Sequence, residues 1–186
     1  MNALLKQWSL IGIVPVIKIE NAKDAIPLAK ALIDGGLPCA EVTFRTAAAK
    51  DAIRAIAEEY PDMIVGAGTV LTRTQVDDAI AAGAKFIVSP GLNPDIVTYC
   101  QERGCPIVPG INNPTGIETA LSLGLDTVKF FPAEQSGGIE MIKAMSAPYG
   151  GVRFMPTGGI NPGNVCDYLA NSKILCCGGS WMVKAD

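Results

Sequence analysis

The chain has 186 residues, of which 49% are hydrophobic and 18% are charged, and its formal net charge is -3. This composition is typical of a folded protein with a sizeable core and excludes an intrinsically disordered chain. Because the chain is mildly acidic and has no cluster of lysine and arginine, we expect neither nucleic acid nor an anionic membrane as its partner. The length predicts one domain that covers residues 1–186.

Apolar runs of strand length alternate with helical patterns along the whole chain, after a short lead-in helix over residues 2–9. Glycine or proline follows most of the helical patterns, as is typical of helix ends. The predicted strands cover residues 13–19, 39–45, 63–70, 85–90, 106–111, 127–132, 152–157 and 173–178. The predicted helices between them cover residues 21–33, 47–59, 74–82, 94–102, 114–123, 139–145 and 162–170.

The alternation of strands and helices has a period of roughly 21 to 25 residues. Such an alternation requires a parallel sheet with helical crossovers, and eight strands indicate an α/β fold of the (β/α)8 TIM barrel type. An open dinucleotide-binding sheet is disfavoured because no G-x-G-x-x-G motif opens the first crossover.

The final helix of such a barrel is missing, because the chain stops at Asp186, shortly after the eighth predicted strand. We expect a barrel without this helix to expose apolar surface on strand eight and on the neighbouring helices. A subunit contact would cover that surface. We favour the interpretation that this chain is a shortened form of a longer one.

The sequence contains six cysteines and no histidine. Since C-x-x-C spacing is absent, we expect reduced core thiols in a cytoplasmic protein. The adjacent Cys176 and Cys177 also allow a metal or redox site, but the inward and outward positions of one strand explain them more simply. Without histidine the commonest general base and metal ligand are missing, so acid–base chemistry falls to carboxylates, lysine, tyrosine or cysteine. Pro15 and Lys18 interrupt the apolar start, which argues against a secretory signal.

Lys129 lies inside an apolar run whose length is that of a buried strand. A buried lysine is costly unless it is paired or gives up its proton. The neutral amine is a nucleophile toward carbonyl carbon, and an apolar site favours that form. The alternative is a structural lysine whose stem lies on the sheet while its ammonium group reaches solvent.

Polar residues share one face of the second predicted strand, because side chains alternate along a strand and place Glu41, Thr43 and Arg45 together. These residues are expected to face the barrel interior rather than the helices. Barrel enzymes carry their active sites at the carboxyl ends of the strands, where Lys129 would meet Glu41 and Arg45. The alternative is a structural ion pair that fills the barrel.

Glycine-rich segments end three of the predicted strands. Gly66-Ala67-Gly68-Thr69 ends the third strand, and its glycines would let a ligand approach the backbone while Thr69 donates to an oxyanion or carboxylate. Gly158-Gly159 and Gly178-Gly179-Ser180 end strands seven and eight, where many barrels hold a phosphate on backbone N–H groups. Each segment taken alone is equally well explained by a tight turn.

Seven segments occur in order: AEVTFRT (residues 40–46), GAGTV (66–70), SPG (89–91), VPG (108–110), KFFPAE (129–134), PTGGI (156–160) and GGSW (178–181). Together they resemble the class I aldolases of 2-keto-3-deoxy-6-phosphogluconate (KDPG) and 4-hydroxy-2-oxoglutarate (KHG). The resemblance implies a (β/α)8 barrel, usually a homotrimer, that works without a cofactor or metal. It also implies reversible cleavage of KDPG to pyruvate and glyceraldehyde 3-phosphate, a reaction of the Entner–Doudoroff pathway.

The resemblance further implies roles for individual residues. Lys129 matches the lysine that forms the Schiff base, and Glu41 matches the general acid/base. Arg45 and Thr69 match residues that hold the substrate carboxylate. The remaining matches are Pro90, Phe131 and Thr157 in the substrate pocket and Gly158, Gly159, Gly179 and Ser180 in the phosphate cradle.

Three other functions fit parts of the sequence. One is an aldolase for the galactonate epimer of the phosphorylated 2-keto acid, and another is an aldolase for unphosphorylated 4-hydroxy-2-oxoglutarate. The third is a phosphate-binding barrel without catalytic activity, against which the intact set of Lys129, Glu41 and Arg45 argues.

Overall fold

The computed structural model describes residues 3–183 of the chain. Strands and helices alternate in it as the sequence predicts. The strands are β1 (Ile13–Ile17), β2 (Cys39–Thr43), β3 (Ile64–Gly68), β4 (Ile87–Ser89), β5 (Ile107–Ile111), β6 (Thr127–Phe130), β7 (Arg153–Pro156) and β8 (Cys177–Gly179). The helices are α1 (Ala3–Ile11), α2 (Ala25–Asp34), α3 (Ala49–Glu59), α4 (Arg73–Ala81), α5 (Pro94–Glu102), α6 (Pro114–Ser122), α7 (Gly138–Ser146) and α8 (Val165–Leu169).

The strands pair in the order β7-β6-β5-β4-β3-β2-β1-β8, and every pairing between them is parallel. β7 approaches β8 through two parallel bridges, which join Phe154 to Ile174 and Thr157 to Gly178. The eight strands therefore form a nearly closed barrel surrounded by helices. This confirms the predicted (β/α)8 fold.

Asparagine caps two of the helices that follow the strands. The side chain of Asn93 accepts a hydrogen bond from a backbone N–H in the first turn of α5, and Asn113 does the same for α6. Pro94 and Pro114 occupy the first positions of these helices, where a backbone N–H would have no acceptor within the helix, so proline loses nothing there. These local signals explain why both helices begin at the predicted residues.

The two faces of β2 divide the barrel interior from the helical layer. Ala40 and Val42 pack in the cluster beneath the helices, whereas Cys39 packs inside the barrel with Trp8 and Phe86. The rings of Trp8 and Phe86 meet edge to face, with their centroids 4.6 Å apart. Because Trp8 belongs to α1, this helix fills the amino-terminal end of the barrel. The alternation confirms that odd-numbered residues of β2 face inward.

Several strands are shorter than predicted at their carboxyl ends. β2 stops at Thr43, so Arg45 lies in the following turn. β3 stops before Thr69, whose φ of 56° cannot continue a strand. The eighth strand is instead shorter at its amino end and begins at Cys177, because the residues before it pair with β7 only at the isolated bridge between Phe154 and Ile174. The residues beyond the shortened carboxyl ends, including Arg45 and Thr69, therefore lie in the loops that follow the strands.

Within residues 3–183 no helix follows β8, and residues 180–183 form a turn. The expectation that strand eight would expose apolar surface is wrong, since Cys177–Gly179 are all buried. The neighbouring helices do show partly exposed apolar side chains, with Ile26 of α2 and Leu169 of α8 each 38% exposed. Among the helices of residues 3–183, none combines the length and apolar character that crossing a bilayer requires. The start of the predicted lead-in helix, at residue 2, lies outside the described residues.

Candidate active site

Lys129 occupies the third position of β6, between Gly110 of β5 and Met155 of β7 in register. Its side chain points into the barrel and the residue is only 5% exposed. Its neighbour Val128 faces the opposite way, into the cluster beneath the helices. The predicted alternative, in which the ammonium group reaches solvent, is therefore wrong.

Glu41 meets Lys129 inside the barrel, across 88 residues of sequence. The Nζ atom of Lys129 lies 3.4 Å from Oε1 of Glu41, and the glutamate is fully buried. The second carboxylate oxygen, Oε2, is also buried and has no hydrogen-bond partner among residues 3–183. A buried acceptor without a partner is costly, so this oxygen is ready to bind a proton donor from a ligand or water.

Gly68 makes room for the glutamate. A Cβ atom at this position would lie 2.2 Å from Oε1 of Glu41, which is far inside contact distance. Two residues earlier, a Cβ atom on Gly66 would lie 2.5 Å from the ring of Phe86. The Gly-Ala-Gly segment was interpreted as backbone that a ligand could approach, but this space is taken by side chains of the protein itself.

Arg45 stands at the rim of the site and is exposed. Its Nε atom donates to Oγ1 of Thr43 at 3.0 Å, and that hydroxyl donates to the carbonyl of Ile17 on β1 at 2.9 Å. Among residues 3–183 the guanidinium group forms no ion pair with Glu41 or any other carboxylate. Its other N–H groups therefore remain available for an anionic ligand. The predicted cluster of three charged residues is thus observed only as the pair of Glu41 and Lys129.

Thr69 and Pro90 follow the ends of β3 and β4. Thr69 adopts a left-handed backbone conformation with a φ of 56°, which is strained for a β-branched residue. The carbonyl of Pro90 packs against Gly110, where a Cβ atom would come within 2.0 Å of its oxygen. Backbone strain of this kind is concentrated at binding sites because the surrounding structure must hold it in place.

A cavity of about 230 Å³ opens above the carboxyl ends of β7 and β8. Lys129 lies next to it, since its Nζ atom is 5.3 Å from the centre of the Phe131 ring. Thr69 and Pro90 do not line this cavity. The predicted site residues that line the cavity are Arg45, Phe131, Thr157, Gly158, Gly159, Gly179 and Ser180.

In residues 157–160, called here the β7 loop, three backbone carbonyls accept hydrogen bonds from residues that do not line the cavity. The N–H groups of Ala133 and Glu134 donate to the carbonyls of Thr157 and Gly158, at 2.8 and 3.1 Å. The side-chain amides of two asparagines in residues 161–164 donate to the Gly159 carbonyl at 3.0 and 3.1 Å.

Because the C=O and N–H of a trans peptide point in opposite directions, the N–H groups of Gly159 and Ile160 point away from these donors. Neither has a hydrogen-bond acceptor among residues 3–183. Both residues line the cavity, so the loop forms a cradle for an anion.

The sequence of residues 4–186 matches the family model of the KDPG and KHG aldolases. This chain belongs to the KDPG and KHG aldolase family. The predicted resemblance is thereby confirmed over nearly the whole chain.

Named members of the family are close in sequence. The 2-dehydro-3-deoxy-phosphogluconate aldolase of Treponema pallidum is 54% identical over 185 residues, which are 100% of this chain and 88% of the relative. The KHG/KDPG aldolase of Escherichia coli K12 is 48% identical over 174 residues, which are 94% of this chain and 82% of the relative.

Solved structures of the family have the same fold. The KDPG aldolase of Legionella pneumophila, with pyruvate captured at low pH as a covalent carbinolamine, has a TM-score of 0.94 and 40% identity, covering 98% of this chain and 88% of that one. The 2-keto-3-deoxy-6-phosphogluconate aldolase of Zymomonas mobilis ZM4, with 3-phosphoglycerate, has a TM-score of 0.93 and 44% identity, covering 98% and 87%.

Sequence reasoning missed several residues that shape this aldolase site. Asn161 and Asn164 fix the β7 loop, and their spacing around Pro162 and Gly163 is a turn pattern that would have indicated such a role. The sequence assigns Glu134 no role beyond its place at the end of the KFFPAE segment. No local signal identifies Gly68 as the residue that admits Glu41, because that contact depends on the pairing of β2 with β3.

The cysteines of this aldolase-family chain are all free, and only Cys166 is exposed. Cys176 packs inside the barrel while Cys177 packs beneath the helices, which confirms the simpler interpretation of the adjacent pair. Burial raises the pKa of the Cys39 thiol to about 12, although the indole of Trp8 partly opposes the shift. Among residues 3–183 no group of three or more cysteine or acidic side chains is arranged to hold a metal ion.

Proposed function

We propose that this chain is a class I aldolase that reversibly cleaves KDPG to pyruvate and glyceraldehyde 3-phosphate, with Lys129 forming the Schiff base. The observation that carries the proposal is the contact between the Lys129 amine and the buried carboxylate of Glu41 at 3.4 Å. A buried ion pair is a weak stabiliser, because the desolvation of both charges offsets their attraction. Catalysis is the better explanation for its presence. Family membership supports this function, and a relative at 40% identity carries pyruvate as a covalent carbinolamine.

The reaction begins when the neutral amine of Lys129 attacks the C2 carbonyl carbon of the substrate. The carbonyl π electrons move to oxygen, and the carbinolamine that forms loses water to give a protonated imine. This cation accepts electron density from the bond that breaks next, which makes a metal ion unnecessary for the step. Glu41 is placed to move protons between the amine and the departing water, because its Oε1 faces the nitrogen.

Carbon–carbon cleavage requires a base for the C4 hydroxyl group. We assign this role to Glu41, whose Oε2 atom has no partner among residues 3–183. As the carboxylate takes the proton, the C3–C4 bond breaks and glyceraldehyde 3-phosphate leaves. The electron pair of the broken C3–C4 bond forms the enamine of pyruvate. Glu41 then returns the proton to C3, and water hydrolyses the imine to release pyruvate and free Lys129.

The substrate's two anionic ends fit the two polar regions of the cavity. Arg45 lines the cavity, has free N–H groups and would bind the carboxylate. Thr69 does not line this cavity, and its part in holding the carboxylate rests on the family resemblance alone. The phosphate would bind to the cradle formed by Gly158, Gly159 and the segment Gly179–Ser180. Phe131 and Thr157 line the same cavity and are assigned to its walls. Pro90 does not line this cavity, and its place in the substrate pocket rests on the family resemblance alone.

We also propose a homotrimer and a place in the Entner–Doudoroff pathway, both of which the family resemblance implies. The chain length supports one catalytic domain in a cytoplasmic protein. The six free cysteines agree with a reducing compartment.

Borohydride trapping tests the assignment of the nucleophile. Pyruvate and sodium borohydride are added to the native protein, and peptide mass spectrometry locates the reduced adduct. We expect one adduct, on the peptide that contains Lys129, and none in the Lys129→Met variant. The Lys143→Met variant, which changes an exposed lysine on α7, should be labelled normally. An adduct on any other lysine contradicts the proposed mechanism.

An aldolase that prefers KHG is the second candidate, because the family model and the Escherichia coli relative both include KHG in their descriptions. The two functions share Lys129 and Glu41 and differ in the phosphate group. A comparison of kcat/KM for KDPG, its galactonate epimer and 4-hydroxy-2-oxoglutarate distinguishes them. Turnover of none of the three, without pyruvate trapping, would indicate a barrel that binds ligand but does not catalyse.

A further inference from the structure

Glu134 contacts the β7 loop but does not line the cavity. Its backbone N–H donates to the Gly158 carbonyl at 3.1 Å. Its side chain packs against the next residue, so that a Cβ atom on Gly159 would lie 2.4 Å from Cγ of Glu134. One residue therefore holds two consecutive positions of the loop, one by a hydrogen bond and the other by contact.

The charge of Glu134 is unusual at this place. A carboxylate behind an anion-binding loop repels the anion, and no lysine or arginine of residues 3–183 forms an ion pair with it. Its charge-assisted partner is the hydroxyl of Tyr168, which donates to Oε1. The carboxylate is thus fixed by a neutral donor that leaves its charge in place.

Tyr168 is a rigid partner for this hydrogen bond. It lies in α8, the helix that follows the β7 loop, and only 2% of its surface is exposed. Burial and the hydrogen bond to Glu134 raise the pKa of Tyr168, so its hydroxyl stays protonated and continues to donate throughout the neutral range. The ring is anchored in the cluster beneath the helices together with Phe130 and Ile142.

We propose that Glu134 and Tyr168 are positioning residues that hold the β7 loop in its phosphate-binding conformation and thereby set the preference for phosphorylated substrates. The inference rests on the proposed function and extends it to residues that do not touch the substrate. With the Gly158 carbonyl held by Glu134, the N–H of Gly159 faces the cavity. If the Glu134 carboxylate loses its hydrogen bond to Tyr168, the packing of Glu134 against Gly159 loosens. The negative charge of Glu134 is then no longer held in one position near the phosphate.

The Tyr168→Phe variant tests the proposal, since it removes one hydroxyl and keeps the buried ring. We expect KM for KDPG to rise by about threefold or more with little change in kcat, and the free energy of one hydrogen bond to a charged group sets the upper limit at roughly a hundredfold. For unphosphorylated 4-hydroxy-2-oxoglutarate, kcat/KM should stay within about twofold of native. The ratio of the two kcat/KM values on one sample does not depend on the fraction of folded protein. An equal loss on both substrates, or no loss on either, overturns the proposal.

Two further variants separate positioning from general damage. Glu134→Gln keeps an acceptor for Tyr168 and the packing against Gly159 but removes the charge that repels the anion, so KM for KDPG should not rise above that of native protein. Glu134→Ala removes the packing as well as the charge, so KM for KDPG should be higher in Glu134→Ala than in Glu134→Gln. Tyr149→Phe is a matched control, because Tyr149 donates to Glu118 at 2.9 Å in a tyrosine–glutamate pair away from the cavity. It should leave the substrate ratio unchanged.

Direct binding distinguishes this proposal from the proposed function. Calorimetric titration with 3-phosphoglycerate needs no turnover, and we expect binding to native protein that is weaker by about threefold or more in Tyr168→Phe but normal in Tyr149→Phe. If native protein binds this ligand without cleaving either substrate, the function is wrong and the positioning role stands. Equal binding by native and Tyr168→Phe protein, or none by native protein, overturns the positioning role.

Discussion

At the amino-terminal end of the barrel, Trp8, Phe86 and Cys176 fill the interior with apolar side chains, whereas a charged pair fills it at the carboxyl end. Each end also contains one buried polar atom without a hydrogen-bond partner among residues 3–183. At the amino-terminal end this atom is Nε1 of Trp8, which lies near the Cys39 sulfur without a normal hydrogen bond. At the carboxyl end this atom is Oε2 of Glu41.

The two unpaired atoms have different meanings because their surroundings differ. Trp8 is surrounded by close-packed apolar groups, and its large buried ring outweighs the cost of one unpaired N–H. Glu41 lies beside a lysine near the open cavity, where a substrate hydroxyl can satisfy its oxygen. The comparison predicts that changes at the amino-terminal end alter stability, and that changes at the carboxyl end alter catalysis.

The largest expected effect is on catalysis, from Glu41→Gln. The amide keeps the volume of the side chain but cannot accept the C4 proton, so kcat should fall by about 10² to 10⁴. Lys129 is unchanged, and borohydride trapping with pyruvate should still label it. Glu140→Gln on α7 is the matched control, because Glu140 forms an exposed pair with Lys143 at 2.7 Å. A kcat within tenfold of native for Glu41→Gln would contradict the assigned base.

Trp8→Ala should have the largest effect on stability. Removal of a fully buried tryptophan leaves a cavity inside the barrel, and the free energy of unfolding should fall by about 3 to 5 kcal/mol. Urea denaturation followed by circular dichroism measures this loss. The kcat per folded molecule should remain within about twofold of native. A large fall in kcat with unchanged stability would show that the amino-terminal end of the barrel also controls catalysis.

A smaller and sharper test uses Gly66 and Gly68, which lie two residues apart on the inner face of β3. An added Cβ collides with the Phe86 ring at Gly66 and with the Glu41 carboxylate at Gly68. Overpacking should destabilise the Gly66→Ala variant by about 1 to 3 kcal/mol with normal kcat. Gly68→Ala should displace Glu41 from Lys129 and lower kcat at least tenfold, an amount equivalent to about 1.4 kcal/mol. Equal effects of both variants on kcat would contradict the separation between an amino-terminal end that determines stability and a carboxyl end that determines catalysis.

Local patterns in the sequence were sufficient for the order of the elements. Alternating side chains along the predicted strands placed Glu41 and Lys129 inside the barrel, and the predicted starts of α5 and α6 at residues 94 and 114 agree with the structure. The predicted strand ends were less accurate, since the predicted second strand runs to Arg45 whereas β2 ends at Thr43. Propensity alone does not reveal where a strand leaves the sheet, because the last hydrogen bonds depend on the neighbouring strands.

The sequence by itself determined the barrel, the inward lysine and the family, because each depends on residues close together in the chain or on motifs in fixed order. Only the tertiary structure decided that Glu41 touches Lys129 while Arg45 stands apart at the rim, and that Glu134 and Tyr168 support the β7 loop from behind. These contacts join residues that are 88 and 34 positions apart. The closure of the sheet and the packing of α8 bring such residues together, and no periodicity of a single segment specifies the distance between them.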